Sequence, residues 1–349
     1  MNQLKFGYSF SWSGFNEIVA KALKAENNGF DFLWYHDHLL IPSSSTVLES
    51  FSVLGGLAVS TKSCKIGQTV VDAYRRHPSV LAHSVLTLNH MSNGRAFLGI
   101  GAGQPMNLDP INLEMSQPFM RLKESIQYIK GLLNATKEKP FNFSGKIFTA
   151  KNIFLNTEKS NLSPPPIYVG SSGVKTREIT GEYADGWIPY VHALKNYEKL
   201  LSDVKNGARK SNRNIDELDI VANLPILILE NDNENERKKI KRSLGVRLLL
   251  ESNTLKDLGW DEDIPARTSQ LKMIIDKSTS KILEESADKI PQEICEQIAA
   301  IGTVSEIIEI LEKYKKMGAN QFVIKFLGTP SPNEFSKFNS EVIQIMKSN

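Results

Sequence analysis

Short apolar runs alternate with amphipathic ones along the first half of the chain. Leu4–Phe10 reads as a strand. In Phe15–Asn28 the apolar residues Ile18, Val19, Ala22 and Leu23 fall at helical spacing and stop at Gly29, a residue suited to ending a helix. The same alternation predicts strands at Phe30–Tyr35, Lys65–Val71 and Ala96–Gly101, and helices at Thr46–Ser60, Ser79–Met91 and Phe119–Leu133. Four successive strand–helix units require a parallel sheet, because parallel strands need crossover connections. Asn142–Leu155 breaks the rhythm, alternating around Ser144-Gly145-Lys146 as a β-hairpin does.

The rhythm resumes after Pro164-Pro165-Pro166. Strands are predicted at Ile167–Gly170, Gly186–Pro189, Asp219–Leu229 and Gln321–Phe326, and helices at Val174–Tyr183, Asn196–Ser211, Thr303–Met317 and Ser331–Lys347. From Asn231 to about Ala300 the chain is mostly helical, and its charged run Glu234–Arg242 reads as a solvated helix face. Eight strands, each followed by helical material, is the count of a closed (β/α)8 TIM barrel. A doubly wound open sheet is the competing arrangement.

Length and composition narrow this. The 349 residues could make two average domains, or one large barrel with insertions. The net charge is only +3, which argues against a nucleic-acid or membrane-surface partner. Cys64 and Cys295 are the only cysteines. They exclude a disulfide scaffold and a four-cysteine zinc site, and fit a reducing cytoplasm. Neither a signal peptide at Met1–Phe10 nor a transmembrane run is expected.

In a barrel the chemistry sits at the C-terminal ends of the strands. The segments there are His36-Asp37-His38, Asp72 to Pro78, Gly101 to Asn107, Gly170-Ser171-Ser172-Gly173 and Pro189 to His192. Neighbouring strand residues point opposite ways and no zinc-type spacing recurs, so His36, Asp37 and His38 do not read as metal ligands. His38 reads instead as a proton-handling or cofactor-contacting residue, with a structural histidine as the plainer alternative. Small residues at Gly170–Gly173, between a strand and a helix, suit a phosphate site, although an ordinary βα turn would look the same. Gly101-Ala102-Gly103 lacks the full dinucleotide fingerprint. Phe6, Trp34 and Phe97 read as core.

Four segments together resemble the luciferase-like oxidoreductases, in the branch that uses the deazaflavin coenzyme F420. They are Phe32 to His38; Tyr74 to Pro78 with the following helix to Arg95; Leu98 to Asn107; and Pro165 to Gly173 continuing to Ile188. Thr303-Val304-Ser305-Glu306 is similar to the family's final helix. The resemblance implies one barrel domain over 1–349 with a β-hairpin insertion and a helical insertion at 231–300 before the last strand. It also implies a homodimer and a cofactor lying in the barrel mouth. By position Asp37 and His38 match the pair at the deazaflavin ring, and Thr69–Val70 matches a non-prolyl cis peptide bulging against it. Ala102, Gly103, Gln104 and Asn107 match the loop beside the ring, and Gly170, Ser171, Ser172 and Gly173 the phosphate-holding turn.

The chain also departs from its relatives. The sugar-phosphate dehydrogenases of this branch carry Glu at Gln104 and Trp where Ile41-Pro42 stands, and a basic residue near Ala193. The methylene-tetrahydromethanopterin reductases carry Glu at Ser9. These departures argue against both reactions. The expectation is hydride transfer between C5 of F420 and a small organic substrate, with His38, Asp37 and Gln104 catalytic and His77 secondary. Arg75, Arg76 and the Ser172-Gly173 helix start would attract the anionic cofactor. The alternatives are an FMN-dependent monooxygenase and a member that only binds cofactor.

Overall fold

Residues buried on both faces make the barrel strands. They are β1 (Lys5–Ser9), β2 (Phe32–Tyr35), β3 (Lys65–Gln68), β4 (Ala96–Gly101), β5 (Ile167–Gly170), β6 (Gly186–Ile188), β7 (Asp219–Ile228) and β8 (Gln321–Phe326). In this computed structural model, which describes residues 3–42, 45–156, 162–230, 234–260, 265, 268–269, 273, 275–328 and 333–348, every pairing of the barrel is parallel. Phe6 stands opposite Phe322, Tyr8 opposite Leu33, and Ala222 opposite Phe322, so β8 lies between β7 and β1 and the sheet closes. The open sheet is thereby excluded.

The interior is an aromatic cluster: Phe32, Trp34, Phe97 and Tyr168, with Ile188, Val221 and Val323. Trp34 packs 4.3 Å from the Phe97 ring and edge-on to Tyr168. It reaches the axis because β1 offers Gly7, where a Cβ would lie 2.7 Å from the indole nitrogen. The outer strand faces bury Leu33, Ile66, Leu98 and Val169. Against them lie helices α1 (Phe15–Asn27), α2 (Ser50–Ser60), α3 (Pro78–Met91), α4 (Pro118–Leu133), α5 (Val174–Tyr183) and α6 (Leu194–Lys210). The hairpin forms from Phe141–Ser144 and Thr149–Ile153. Glu124 of α4 holds it, accepting from the N–H groups of Lys146, Ile147 and Phe148.

Some expectations needed correction. The second helix starts at Ser50, not Thr46, because the Glu49 carboxylate accepts from Phe51 N–H and Ser52 N–H and caps it there. The third strand breaks at a cis Thr69–Val70 peptide before Val71–Asp72 resumes pairing with β4. After β7 come helices α7 (Glu234–Leu250) and, further on, α8 (Thr279–Lys289). Asn231 itself lies outside the described residues, as does Ser331 at the start of the expected last helix. Helical structure stops at Glu296, and Ala300–Gly302 is instead a short strand pairing with the end of β7. Three residues are too few to show a period of two. Helix α9 (Val304–Met317) then leads into β8, opened by a Thr303–Glu306 capping box.

Candidate active site

Strand alternation builds the site. Gly7, Trp34, Tyr168, Val221 and Val323 point into the barrel, so Ser9, His36, Gly170, Asn223 and Lys325 point inward one layer higher. At these C-terminal strand ends a cavity of about 340 Å³ opens, lined by four of them, with Lys325 behind its wall. Loops after the strands complete it. Asp37 and His38 come from β2, Thr69 and Val70 from the break in β3, Ala102, Gly103, Gln104 and Asn107 from β4, and Gly170, Ser171, Ser172 and Gly173 from β5.

Asp37 is buried and fully engaged. It accepts from Ser50 Oγ at 2.6 Å and from the guanidinium groups of Arg75 and Arg76. Arg75 also pairs with Asp72, and Arg76 with Glu49 at 2.6 Å. Three carboxylates therefore neutralise the two arginines expected to draw an anionic cofactor. Their charge is spent within the wall.

His38 is oriented by Asn107 rather than by Asp37. Asn107 Oδ1 accepts from Leu39 N–H at 2.7 Å and Leu40 N–H at 2.8 Å. Its Nδ2 must then be the donor toward His38 Nδ1, 3.1 Å away. The imidazole proton accordingly resides on Nε2. Burial pushes the His38 pKa down to about 4, although Asp37 opposes this. At neutral pH it is an uncharged hydrogen-bond donor. His36 sits beside it, its Nε2 2.9 Å from Phe10 O, with a pKa driven well down by burial and by the nearby Lys325.

Next to these residues the wall is nearly flat. Val70 rests on β4 and β5 where both lack side chains: a Cβ at Gly101 would lie 2.7 Å from its Cγ2, and one at Gly170 3.1 Å. Next to it runs the turn into α5. Ser171 Oγ lies 3.2 Å from Thr180 Oγ1, and Gly173 N–H donates to Thr176 Oγ1 at 3.1 Å. Ser172 Oγ donates to Glu251 at 2.8 Å, so a phosphate here would compete with a carboxylate for that hydroxyl. Valine, glycines and N–H groups fit a flat ring with an anionic side chain; bulkier residues would fill the space. Gln104 lines the cavity at the start of a short helix, Pro105–Leu108. Its amide can hydrogen-bond but cannot exchange a proton.

Other residues fall elsewhere. His77 caps α3 through Ser79 and packs edge-on against Tyr128 and Phe148, away from the cavity. His192 is buried under Tyr197 and Tyr314, its Nε2 accepting from Asn223 N–H. Sequence reasoning missed Arg247, Glu251 and Asn253, contributed from α7 and the residues after it, and Asn223, and it marked Tyr190 only as part of the Pro189–His192 segment. It also missed Lys325. Two cations gave a signal: Arg247 interrupts a helix stripe of Leu244, Leu248 and Leu249, and Lys325 stands between Ile324 and Phe326 in a strand buried on both faces. Burial lowers the pKa of both, that of Lys325 to about 7 with Arg247 adding to the fall. Among the described residues no group of three His, Cys, Asp or Glu side chains could hold a metal ion.

A (β/α)8 barrel whose mouth combines this flat glycine-backed wall with a fixed histidine belongs to the luciferase-like monooxygenase family, which this chain matches over residues 5–321. Its relatives place it in the family's F420-dependent branch. It is 25% identical over 349 residues to 5,10-methylenetetrahydromethanopterin reductase of Archaeoglobus fulgidus, covering 99% of this chain and 100% of that one. It is 30% identical over 249 residues to the F420-dependent glucose-6-phosphate dehydrogenase of Nakamurella multipartita, covering 67% of this chain and 70% of the other. In fold it is similar to the F420-dependent tetrahydromethanopterin reductase of Methanopyrus kandleri, with a TM-score of 0.80, 21% identity and 99% of each chain covered.

Proposed function

We propose that this chain binds coenzyme F420 in the barrel mouth and transfers a hydride between the deazaflavin C5 and a small organic substrate. The observation that carries the reading is the Val70 bulge backed by Gly101 and Gly170, facing a cavity that also holds His38 and Asn107. When bound, F420 supplies a two-electron hydride carrier. The protein's part is to position and to polarise. Val70 would support the ring, with Ala102, Gly103, Gln104 and Asn107 beside it, and the Gly170–Gly173 turn would hold the phosphate. His38, neutral and protonated on Nε2, donates a hydrogen bond to a substrate oxygen and so stabilises negative charge developing there. Asp37 acts one step back, fixing Arg75 and Arg76 and thereby the loop that carries His38. The helices of 231–300 close the substrate side of the mouth within a single domain.

Two copies of the chain pair through the helices of the first half, a reading supported by Val59, Val80 and Met91, which stay exposed on α2 and α3. A cytoplasmic setting is supported by two buried free thiols, Cys64 and Cys295. No described helix is long and apolar enough to cross a membrane.

Parallel fluorescence titrations of the purified protein with F420 and FMN test the reading. F420 is expected to bind at micromolar or lower concentration and FMN more weakly. Preference for FMN would move the chain to the monooxygenase alternative, and binding of neither would remove the assignment.

A further inference from the structure

The cavity has a second chemical character on its β7–β8 side. Lys325 follows Ile324, the partner of Tyr8, and therefore stands beside Ser9; on its other edge it pairs with Pro225. It points inward above Val323. Arg247 enters the same region from α7 and lines the cavity together with His36, Tyr190 and Asn223. Arg247 is close enough to weaken the protonation of Lys325, and both cations weaken that of His36. Among the described residues no carboxylate lies within ion-pair distance of Arg247 or Lys325, whereas Arg75 and Arg76 on the opposite wall share three.

Bringing two like charges together in a half-buried wall is unfavourable unless an anion completes the set. The remaining polar atoms indicate which anion. Asn223 Nδ2 faces the carbonyl oxygens of Pro189 and Tyr190, each at 3.3 Å, which leaves Oδ1, an acceptor, unspent. His36 uses Nε2 toward Phe10 O, leaving Nδ1, also an acceptor. The charged donor on offer in the cavity is thus one planar guanidinium fork, with the Lys325 ammonium adding positive potential from behind the wall. That matches the two oxygens of a carboxylate. A phosphate dianion, with more oxygens to satisfy, would meet acceptors on the remaining sides.

We propose that Arg247, backed by the Lys325 charge behind the wall, forms a carboxylate-binding subsite, and that the substrate of this protein is a small organic acid whose reacting carbon lies toward Val70 while its carboxylate sits against the Arg247 guanidinium. The substrate class rests on the reading of this cavity as the F420 and substrate site. The subsite itself does not require cofactor.

The test is binding, not turnover. Protein without cofactor is titrated calorimetrically with pyruvate, and with acetone as the uncharged counterpart, at constant ionic strength. Pyruvate is expected to bind and acetone not to. Arg247→Gln should weaken pyruvate binding by roughly tenfold or more, the loss expected for one charge-assisted hydrogen bond, and Lys325→Met should weaken it by less, as removal of a charge behind the wall. Arg247→Lys should recover part of it. Thermal melts of each variant verify folding, and the Arg247→Lys arm keeps the test decisive should Arg247→Gln unfold. F420 affinity should be unchanged in all three.

If wild-type protein binds F420 but not pyruvate, the subsite falls and the cofactor reading stands. If it binds pyruvate through these residues but not F420, the cofactor reading falls and the subsite stands. Loss of F420 affinity in the variants, with no pyruvate binding, would assign the cations to the cofactor and overturn the proposal.

Discussion

The two walls of the barrel mouth solve the problem of buried charge in opposite ways. On the β2–β4 side, Asp37, Asp72 and Glu49 neutralise Arg75 and Arg76, and Asn107 fixes His38. On the β7–β8 side, Arg247 and Lys325 have no counter-ion among the described residues. The first wall is complete as it stands, as suits a surface that holds a ring. The second is complete only with something added. A saturated network signals architecture, and an unsaturated one signals a ligand.

The strongest way to break the comparison is to open the closed wall. Asp37→Asn removes the carboxylate that Arg75 and Arg76 share, leaving them Asp72 and Glu49, and stability should fall by about 2–4 kcal/mol in urea denaturation. A loss below about 1 kcal/mol would mean that the network is not what closes that wall. Gly101→Ala comes next. Its methyl would press on Val70, costing about 1–3 kcal/mol, and F420 affinity should fall while pyruvate binding persists. An equal loss of both would mean that the walls do not act separately.

Asn107→Asp is a finer probe. An aspartate would accept from His38 Nδ1–H, moving the proton off Nε2 and raising the pKa from about 4. Hydride transfer should slow by about tenfold, the worth of one well-placed hydrogen bond, and its pH profile should shift upward. An unchanged profile would remove Asn107 as the positioning group.

The smallest effect is the most discriminating. Lys325 has a folded pKa of about 7 against an ordinary 10.5, so between these values the unfolded chain binds more protons. The penalty for burying this cation is full below about pH 7, shrinks as pH rises, and is gone above about 10.5. Lys325→Met should therefore be more stable than wild type by about 1 kcal/mol near pH 6, with the gap closing in alkali. His38 adds a separate rise in wild-type stability between pH 4 and 6.5. If Lys325→Met is destabilised at every pH, the ammonium is paired and the β7–β8 wall is as closed as the other.

The same division explains what the sequence disclosed. Strand and helix periods were legible wherever elements were long, and the loops of the first wall could be read because Gly, His, Asp and Pro are conspicuous at strand ends. The inference was weaker where residue type did not reveal partnership. Arg75 and Arg76 read as free positive charge, since nothing local showed that Asp37, 38 or more positions away, folds onto them. His77 looked like a site residue because a helix-capping histidine and a catalytic one have the same neighbours in sequence. Arg247 and Lys325 lie 78 positions apart and meet only when the barrel closes. Each did leave a trace, a lone cation on an apolar face, which is the pattern to search for in such chains.

The hydrogen bond from Ser172 to Glu251 joins the two walls. Glu251 lies four residues beyond Arg247, just past the end of α7. A ligand that claims the Ser172 hydroxyl takes it from Glu251, whose carboxylate is carried on the same stretch of chain as Arg247. Occupancy at the phosphate turn and occupancy near Arg247 are then thermodynamically coupled, and the coupling is reciprocal: whatever factor the first ligand applies to the second, the second applies to the first. One hydroxyl can thus link the affinities of two molecules in a single cavity.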